Sequence, residues 1–138
     1  MKKHAGEQTV RTKNGYLMAG MEQVVEVLRK VNEFCLSRGE SKKTANNVAL
    51  FVEEMAGNVV KHGCRGREPL VELRLILKED KRMIRIRDNG QPFDPVKWYE
   101  TNHPEDPASN IGIRLVTGLA KRVQYIPAMS MNHIMIYL

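Results

Sequence analysis

The chain has 138 residues, of which 42% are hydrophobic and 28% are charged, with a formal net charge of +6. This length and composition predict one domain with a real core and exclude a compositionally disordered protein. The two cysteines, Cys35 and Cys64, form neither a disulfide framework nor a C-x-x-C motif. No apolar run approaches membrane-spanning length and MKKHAGEQTV lacks a signal-peptide core, so we expect a cytoplasmic protein with no membrane contact.

The positive charge permits an anionic partner, but it is spread over the whole chain. Its densest group, Arg82, Arg85 and Arg87, falls within one predicted strand and lacks the interleaved aromatic residues of single-strand binders. The four histidines are scattered without the spacing of a metal site. Nucleic-acid binding is therefore a minor alternative to a solvated basic surface.

The domain itself is predicted over residues 20–138, preceded by residues 1–19 as a tail or a short first strand around residues 7–13. Apolar residues at helical spacing predict a first helix over residues 21–36. Glycine tolerates positive φ, so Gly39 is expected to help end this helix.

The second helix is predicted to begin after Ser41 as N-cap and to end near residues 62–63. Its broad apolar face holds Ala45, Val48, Ala49, Val52, Met55, Ala56, Val59 and Val60. The remaining stripe holds Asn47, Phe51, Glu54, Asn58 and His62. A carboxylate and a carboxamide one turn apart can meet the same ligand, although a lone E-x-x-x-N is more often a solvated polar face.

Two alternating segments follow, over residues 70–78 and 83–88, and predict a hairpin. Residues 89–110 contain four prolines and little periodicity, which is typical of a functional or a disordered loop. A helix is predicted from Ile111-Gly112, followed by strands over residues 123–126 and 132–138. The inward residues of this third predicted helix are Leu115, Val116, Leu119 and Val123. This order favours an α+β two-layer sandwich, with helices on one mostly antiparallel sheet.

Three polar features in this order suggest one chemistry. They are Glu54 with Asn58, then Asp88-Asn89-Gly90 at a strand end, then Asn110-Ile111-Gly112 at a helix start. An Asp leaving a strand can accept a hydrogen bond from an exocyclic amine such as that of adenine, and a helix N-terminus directs N–H groups at phosphate. An Asn oxygen suits Mg²⁺, and a neighbouring Glu can orient or deprotonate the group that attacks a γ-phosphate. Taken alone, Asp-Asn-Gly is also good turn chemistry.

The segments EEMAGNVVKH, DNGQPFDP and SNIGIRLVTGLAKRV resemble the N, G1 and G2 boxes of the GHKL ATPase superfamily. They look most like its anti-sigma-factor serine kinase branch, and MNHIMIYL resembles the last strand of that branch. The resemblance spans roughly residues 20–138 and implies the Bergerat ATP-binding fold. The wording DNG-x-PFDP points away from histidine kinases.

The resemblance also implies a role for individual residues in a site for ATP and Mg²⁺. It makes Glu54 the catalytic carboxylate and Asn58 the Mg²⁺ ligand, sets Asp88 on adenine, and places Gly90 and Gly112 against the nucleotide. His62 is similar to a histidine often found at that helix end. The roles of two further residues are less determined. Asn110 is expected to substitute in part for a lost glycine, because asparagine can adopt a left-handed backbone conformation. Arg114 is expected either to contact phosphate or to be a solvated arginine.

The implied activity is that of a Mg²⁺-dependent protein serine/threonine kinase, which phosphorylates an antagonist protein and sequesters a sigma factor. A homodimer is implied only by likeness to relatives. Pro92 replaces the second glycine of D-x-G-x-G, a change that the anti-sigma-factor kinase branch commonly shows. The depleted glycine segment favours an alternative, since residues 109–112 hold one glycine. That alternative is a non-catalytic or weakly ATP-binding regulatory module, alone or within a larger phosphatase or sensor protein.

Overall fold

This computed structural model describes residues 10–12, 15–64, 66–102 and 111–138. The helices are α1 (Met21–Ser37), α2 (Lys42–Asn58), α3 (Pro95–Asn102) and α4 (Ile111–Leu119), and α2 continues into a π-helical turn at Val59–Gly63. The strands are β1 (Val10–Thr12), β2 (Gly15–Met18), β3 (Val71–Leu77), β4 (Arg82–Asp88), β5 (Arg122–Tyr125) and β6 (Asn132–Tyr137).

The described strands form one antiparallel sheet in the order β1-β2-β3-β4-β6-β5. The predicted β3–β4 hairpin is present and closes through reciprocal backbone hydrogen bonds between Lys78 and Lys81. In the register, Asp88 lies beside Asn132, so both residues reach the same end of the sheet. Helices on one side of an antiparallel sheet confirm the predicted α+β two-layer sandwich.

The core lies between the helices and one face of the sheet. Its strand residues share that face by the pairing register: Tyr16, Met18, Val71, Leu73, Ile84, Ile86, Ile134 and Ile136. The helices contribute Val24, Val27, Val31 and Cys35 from α1 and Ala45, Val48, Phe51, Val52, Met55 and Ala56 from α2. Burying a side chain of this kind contributes about 1.5–3 kcal/mol, which makes this layer the main stabilising element of the fold.

Ser41 caps α2 as predicted, because its hydroxyl oxygen accepts a hydrogen bond from the Thr44 N–H at 3.1 Å. The prediction for Phe51 was wrong, since this residue of the polar stripe is only 1% exposed. The reason is that α2 packs against α1, α4 and the sheet, so it is buried around more than one face.

The inward residues of α4 also differ from the prediction. Leu115 and Leu119 are 41% and 49% exposed, whereas Ile113 and Val116 are 2% and 1% exposed. The helix therefore faces α2 with residues three apart, and Val123 belongs to β5 rather than to the helix. The two exposed leucines lie one turn apart on the outer side of α4.

Residues 95–102 of the predicted long loop form α3 instead. Asp94 is its N-cap, since its Oδ1 accepts hydrogen bonds from the N–H groups of Val96 and Lys97, each at 3.0 Å. Pro95 occupies the first helical position, where its missing N–H costs nothing.

At the amino terminus, the predicted first strand lies partly outside the described residues, which begin at Val10 with β1. Strand β2 was not predicted, because four residues give too short an alternation to read. Its Tyr16 and Met18 are buried against α1. No helix among the described residues is long and apolar enough to cross a membrane.

The opposite face of the sheet, which we call the open face, is not part of this core. It presents Leu17, Glu72, Arg74, Ile76, Met83, Arg85, Arg87, Arg122, Gln124, His133, Met135 and Tyr137. None of these residues belongs to the core cluster formed by the described residues, although Met83 and Met135 on this face are themselves buried.

Candidate functional site

A cavity of about 380 Å³ opens between the sheet, α2 and the segment that follows β4. This volume lies in the usual range for small-molecule sites. Its lining combines an apolar floor with a few polar groups: Met55, Asn58, Val59, His62, Gly63, Asp88, Gly90, Gln91, Pro92, Phe93, Ile113, Asn132 and Ile134. We call the part formed by Asp88 and Asn132 the sheet end and the part near α2 and α4 the helical end.

Asp88 is the buried acid of the sheet end, with 1% of its surface exposed. Its Oδ1 accepts hydrogen bonds from the Gly90 N–H at 2.8 Å and from Asn132 Nδ2 at 2.9 Å. Burial raises the pKa of this carboxyl, and these two hydrogen bonds oppose the shift. Among the described residues no donor is bonded to Oδ2, so the carboxylate keeps an acceptor for a ligand in the cavity.

Asn132 is a functional candidate that the sequence analysis missed. Its Nδ2 donates to Asp88 Oδ1 and to the Gln91 carbonyl at 3.0 Å, while its Oδ1 accepts from the Phe93 N–H at 3.2 Å and the Tyr125 hydroxyl at 2.6 Å. One side chain thus fixes the acid, the following loop and β5. Only the strand pairing could have found it, because Asn132 meets Asp88 across two strands that are far apart in sequence.

Gly90 is needed where it stands because the backbone passes close to two groups. A Cβ at this position would lie 3.0 Å from Asp88 Oδ1 and 3.2 Å from the Gly63 carbonyl oxygen. The Gln91 N–H donates to that same Gly63 carbonyl at 2.8 Å. The loop after β4 is therefore held against the end of the π-helical turn, which closes one side of the cavity.

Asn89 ties this loop to the segment before β3. Its Oδ1 accepts from the Leu70 N–H at 2.8 Å and its Nδ2 donates to the Glu68 carbonyl at 3.0 Å. The Cys64 thiol also donates to Oδ1 at 3.3 Å, and burial raises its pKa. Asn89 is thus a structural residue that supports the position of Asp88 and Gly90.

At the helical end, Asn58 lines the cavity, whereas Glu54 and Gly112 are not among the lining residues but are the chain neighbours of Met55 and Ile113, which are. A Cβ at Gly112 would overlap the Glu54 carboxylate, so the start of α4 lies directly on this side chain. Asn58 lines the cavity one turn further along α2. Within the described part of the chain, neither the Glu54 carboxylate nor the Asn58 amide makes a side-chain hydrogen bond or an ion pair. Asn58 is therefore available to a ligand in the cavity, and Glu54 becomes available where α4 moves off its carboxylate.

The remaining predicted site residues are distributed differently. His62 lines the cavity and is exposed to solvent. Arg114 is not among the lining residues, and its guanidinium carbon lies 5.6 Å from the centre of the Trp98 ring, between α4 and α3. Asn110 lies outside the described residues.

The donor groups at the helical end suit Mg²⁺ better than a metal held by protein alone. In the described ranges no three His, Cys, Asp or Glu side chains converge on one point. Mg²⁺ retains several waters and takes one or two protein oxygens together with phosphate oxygens. The unpartnered Asn58 amide, one turn from Glu54, fits that requirement.

The profile of the histidine kinase-like ATPase domain family matches residues 17–136. The chain belongs to this family. The resemblance to the GHKL superfamily is thereby confirmed, while the anti-sigma-factor branch stays a prediction. Membership in this family supports ATPase or kinase activity in general for the domain. The cavity with the buried Asp88, next to the start of α4, is the candidate site of that activity.

Among solved structures, the chain is similar to the histidine kinase domain of the blue-light activated histidine kinase from Erythrobacter litoralis EL346. The sequence identity is 18% and the TM-score is 0.49, with 96% of this chain and 69% of that chain covered. No curated protein sequence matches this chain.

Proposed function

We propose that this histidine kinase-like ATPase domain is a protein serine/threonine kinase of the anti-sigma-factor type. It binds ATP with Mg²⁺, transfers the γ-phosphoryl group to an antagonist protein, and sequesters a sigma factor in the cytoplasm. The observation that carries the proposal is the combination of a buried, hydrogen-bonded Asp88 at one end of the cavity with Asn58 at the other, one turn of α2 from Glu54.

Recognition of adenine is supported by the sheet end. Asp88 has one carboxylate oxygen engaged by Gly90 and Asn132, and the other is left as an acceptor for an exocyclic amine. Since an unpaired buried carboxylate is costly, a base that cannot donate there is rejected. The apolar side chains of Met55, Ile113 and others line the space for a flat ring.

Phosphoryl transfer is supported by the helical end. The first N–H groups of α4 have no partner within their own helix and favour phosphate oxygens. Asn58 would hold Mg²⁺, which neutralises charge on the phosphates when it is bound. Glu54 orients the attacking hydroxyl and accepts its proton, as general bases of this kind do in phosphoryl transfer.

The choice of branch rests on the sequence motifs. DNGQPFDP resembles the G1 box of the anti-sigma-factor kinases, including Pro92 in place of a second glycine. The proposed partners are therefore a sigma factor and its antagonist protein, and a homodimer is part of the same proposal.

A second candidate is a regulatory module that binds partners without turning over ATP. It is favoured by the contact between Glu54 and Gly112, which puts a carboxylate beside the helix N-terminus where a phosphate would bind. The single glycine in residues 109–112 favours it as well. In such a module α4 stays on Glu54 and excludes the phosphates.

Calorimetry with ATP and ADP, with and without Mg²⁺, tests the proposal on the wild type and on Asp88→Asn. We expect micromolar binding that requires Mg²⁺ and that falls about tenfold or more in Asp88→Asn, equivalent to about 1.4 kcal/mol. Asp80→Asn, an exposed carboxylate in the β3–β4 turn, is the matched control and should bind like the wild type.

Absence of binding at millimolar ATP would reject the kinase and leave the regulatory module. Binding without transfer of the γ-phosphoryl group to serine or threonine of an antagonist protein encoded by a neighbouring gene would also favour the module. Retained preference for ATP over GTP in Asp88→Asn would remove Asp88 from adenine recognition.

A further inference from the structure

The open face of the sheet carries an unusual set of charges. Its strand positions hold four arginines, Arg74, Arg85, Arg87 and Arg122, against the single acid Glu72, which leaves three net positive charges. No lysine occupies any of the described strand positions on this face. The charge is thus concentrated in guanidinium groups, which pair with carboxylates in a fixed bidentate geometry.

Two of these arginines lie directly opposite each other. Arg74 on β3 pairs in register with Arg85 on β4, and both are half-buried. Like charges at opposed positions of neighbouring strands repel each other and destabilise the pair. Arg87 is neutralised by an ion pair with Glu72, but no described residue forms a hydrogen bond or an ion pair with Arg74 or Arg85. The fold therefore supplies no counter-charge for the central pair.

A third polar group on this face is also unsatisfied. His133 lies opposite Arg87 in the register, and its Nε2 is buried without a hydrogen-bond partner in the described part of the chain. A buried polar atom without a partner destabilises the isolated fold. Because the His133 Nε2 is buried, a molecule bound on this face would reach the half-buried Arg74 and Arg85 rather than the imidazole.

The composition of the face indicates what kind of molecule binds there. Met83 and Met135 lie near its centre but are buried, so the accessible part of the face is formed largely by the arginines and by Tyr137, which is covered by Arg122 at 4.3 Å from the ring centre. Arginine and tyrosine are enriched in protein interfaces, whereas lysine is depleted. Single-stranded nucleic acid needs exposed aromatic rings for base stacking, and this face has one tyrosine with an arginine already over it.

A second copy of the chain is a poor partner for this face. An interface with two-fold symmetry brings the same surface of each copy together, so the arginines of one copy would meet those of the other. We propose instead that the open face binds an acidic segment of another protein, with its carboxylates on the half-buried Arg74 and Arg85. This inference does not rest on the kinase activity, because the open face is separate from the cavity.

The test compares two charge reversals of equal size. The first variant is Arg74→Glu with Arg85→Glu, and the control is Lys42→Glu with Lys43→Glu, two exposed lysines at the start of α2. The probe is a labelled synthetic peptide in which glutamate alternates with valine, and its partner peptide carries glutamine at each glutamate position. Fluorescence anisotropy gives the affinities, and calorimetry with ATP and Mg²⁺ shows whether the cavity is unaffected.

We expect the acidic peptide to bind the wild type at least about tenfold more tightly than the glutamine peptide, and the Arg74 and Arg85 double reversal to lose at least about tenfold in affinity. The lysine control should retain wild-type affinity. As a second variant, Arg74→Gln with Arg85→Gln removes the repulsion without adding charge. This glutamine variant should bind the acidic peptide more weakly than the wild type does, while the Tm of the variant should equal or exceed that of the wild type.

Several results would overturn the proposal. They are equal peptide affinity in the arginine and lysine variants, no binding of the acidic peptide, or a lowered Tm in the glutamine variant. Tighter binding of a single-stranded RNA oligonucleotide than of the acidic peptide, lost in the same variants, would assign the face to nucleic acid. Sedimentation that finds a wild-type dimer and a monomeric arginine variant would assign it to a second copy. A normal ATP response alongside these results would leave the proposed function intact.

Discussion

At the sheet end of the cavity Asp88 and Asn132 are held by several hydrogen bonds, whereas at the helical end Glu54 and Asn58 have no such bond with any described residue. The sheet end is rigid before any ligand arrives, because β4 and β6 fix both side chains in register. The helical end depends on how α4 sits on α2. This difference suggests that recognition of the base is built into the fold and that the phosphate site is completed by the ligand.

The largest expected effect separates chemistry from binding at the helical end. Glu54→Gln removes the proposed general base but preserves the size of the side chain, so we expect turnover of ATP to fall about 100-fold or more while its affinity stays near that of the wild type. Phosphate release and calorimetry measure the two quantities. The matched control is Glu53→Gln, since Glu53 is the neighbouring, exposed glutamate of α2.

Equal turnover in Glu54→Gln and the wild type would show that Glu54 has no catalytic role. A parallel fall in affinity and turnover would instead make Glu54 a binding residue.

The next largest effect is expected from removing the hydrogen bonds that hold the sheet end. Asn132→Ala deprives the Phe93 N–H and the Tyr125 hydroxyl of their acceptor and Asp88 of a donor. Because each unsatisfied buried group costs about 1–3 kcal/mol, part of which water recovers, we expect the free energy of unfolding to fall by about 2 kcal/mol. ATP affinity should fall with it, since Asp88 loses its orientation.

Chemical denaturation and calorimetry measure these two losses. The control is Gln124→Ala, which changes a half-buried amide on the open face of the adjacent strand. If Asn132→Ala were as stable as this control and bound ATP normally, the sheet end would not be the rigid element described above.

The sequence alone predicted the elements that have strong local signals. The β3–β4 hairpin, the Ser41 cap and the helical spacing of Glu54 and Asn58 follow from period and capping chemistry, which are local properties. The candidate site residues Asp88 and Gly90 were found through the motif around them. Their packing partner Asn132 was not, because it is set by the order of strands in the sheet.

Other features were missed for different physical reasons. The signal for α3 was present in Asp94-Pro95, an N-cap followed by proline at the first helical position, but the four prolines of residues 89–110 dominated the interpretation. Phe51 was assigned to the polar stripe because periodicity does not show how many neighbours a helix has. Tertiary packing decides that number.

A smaller effect tests the contact between α4 and α2. Gly112→Ala places a Cβ against the Glu54 carboxylate, so α4 must shift, and we expect Mg²⁺-dependent ATP binding to weaken about tenfold, about 1.4 kcal/mol. Gly118→Ala is the matched control on the same helix, since nothing lies within 4 Å of its added Cβ. That control should stabilise the protein by about 0.4–1 kcal/mol without changing ATP affinity. Equal ATP affinity in the two variants would mean that α4 is free to move. The position of α4 on α2 would then not determine the affinity of the helical end for ATP.

The smallest effect uses pH to sharpen the same comparison, because the sheet end contains a buried carboxyl. Burial raises the folded-state pKa of Asp88 above its ordinary value, so stability is fully present below the unfolded-state pKa and is lost as the pH rises through the folded-state pKa. Asp88→Asn retains an acceptor for Gly90 and Asn132 but has no proton to lose. Its free energy of unfolding relative to the wild type should therefore increase with pH across this window, as measured by denaturation at a series of pH values. A difference that does not change with pH, or one equal to that of Asp80→Asn, would mean that the cavity solvates Asp88 as well as water does.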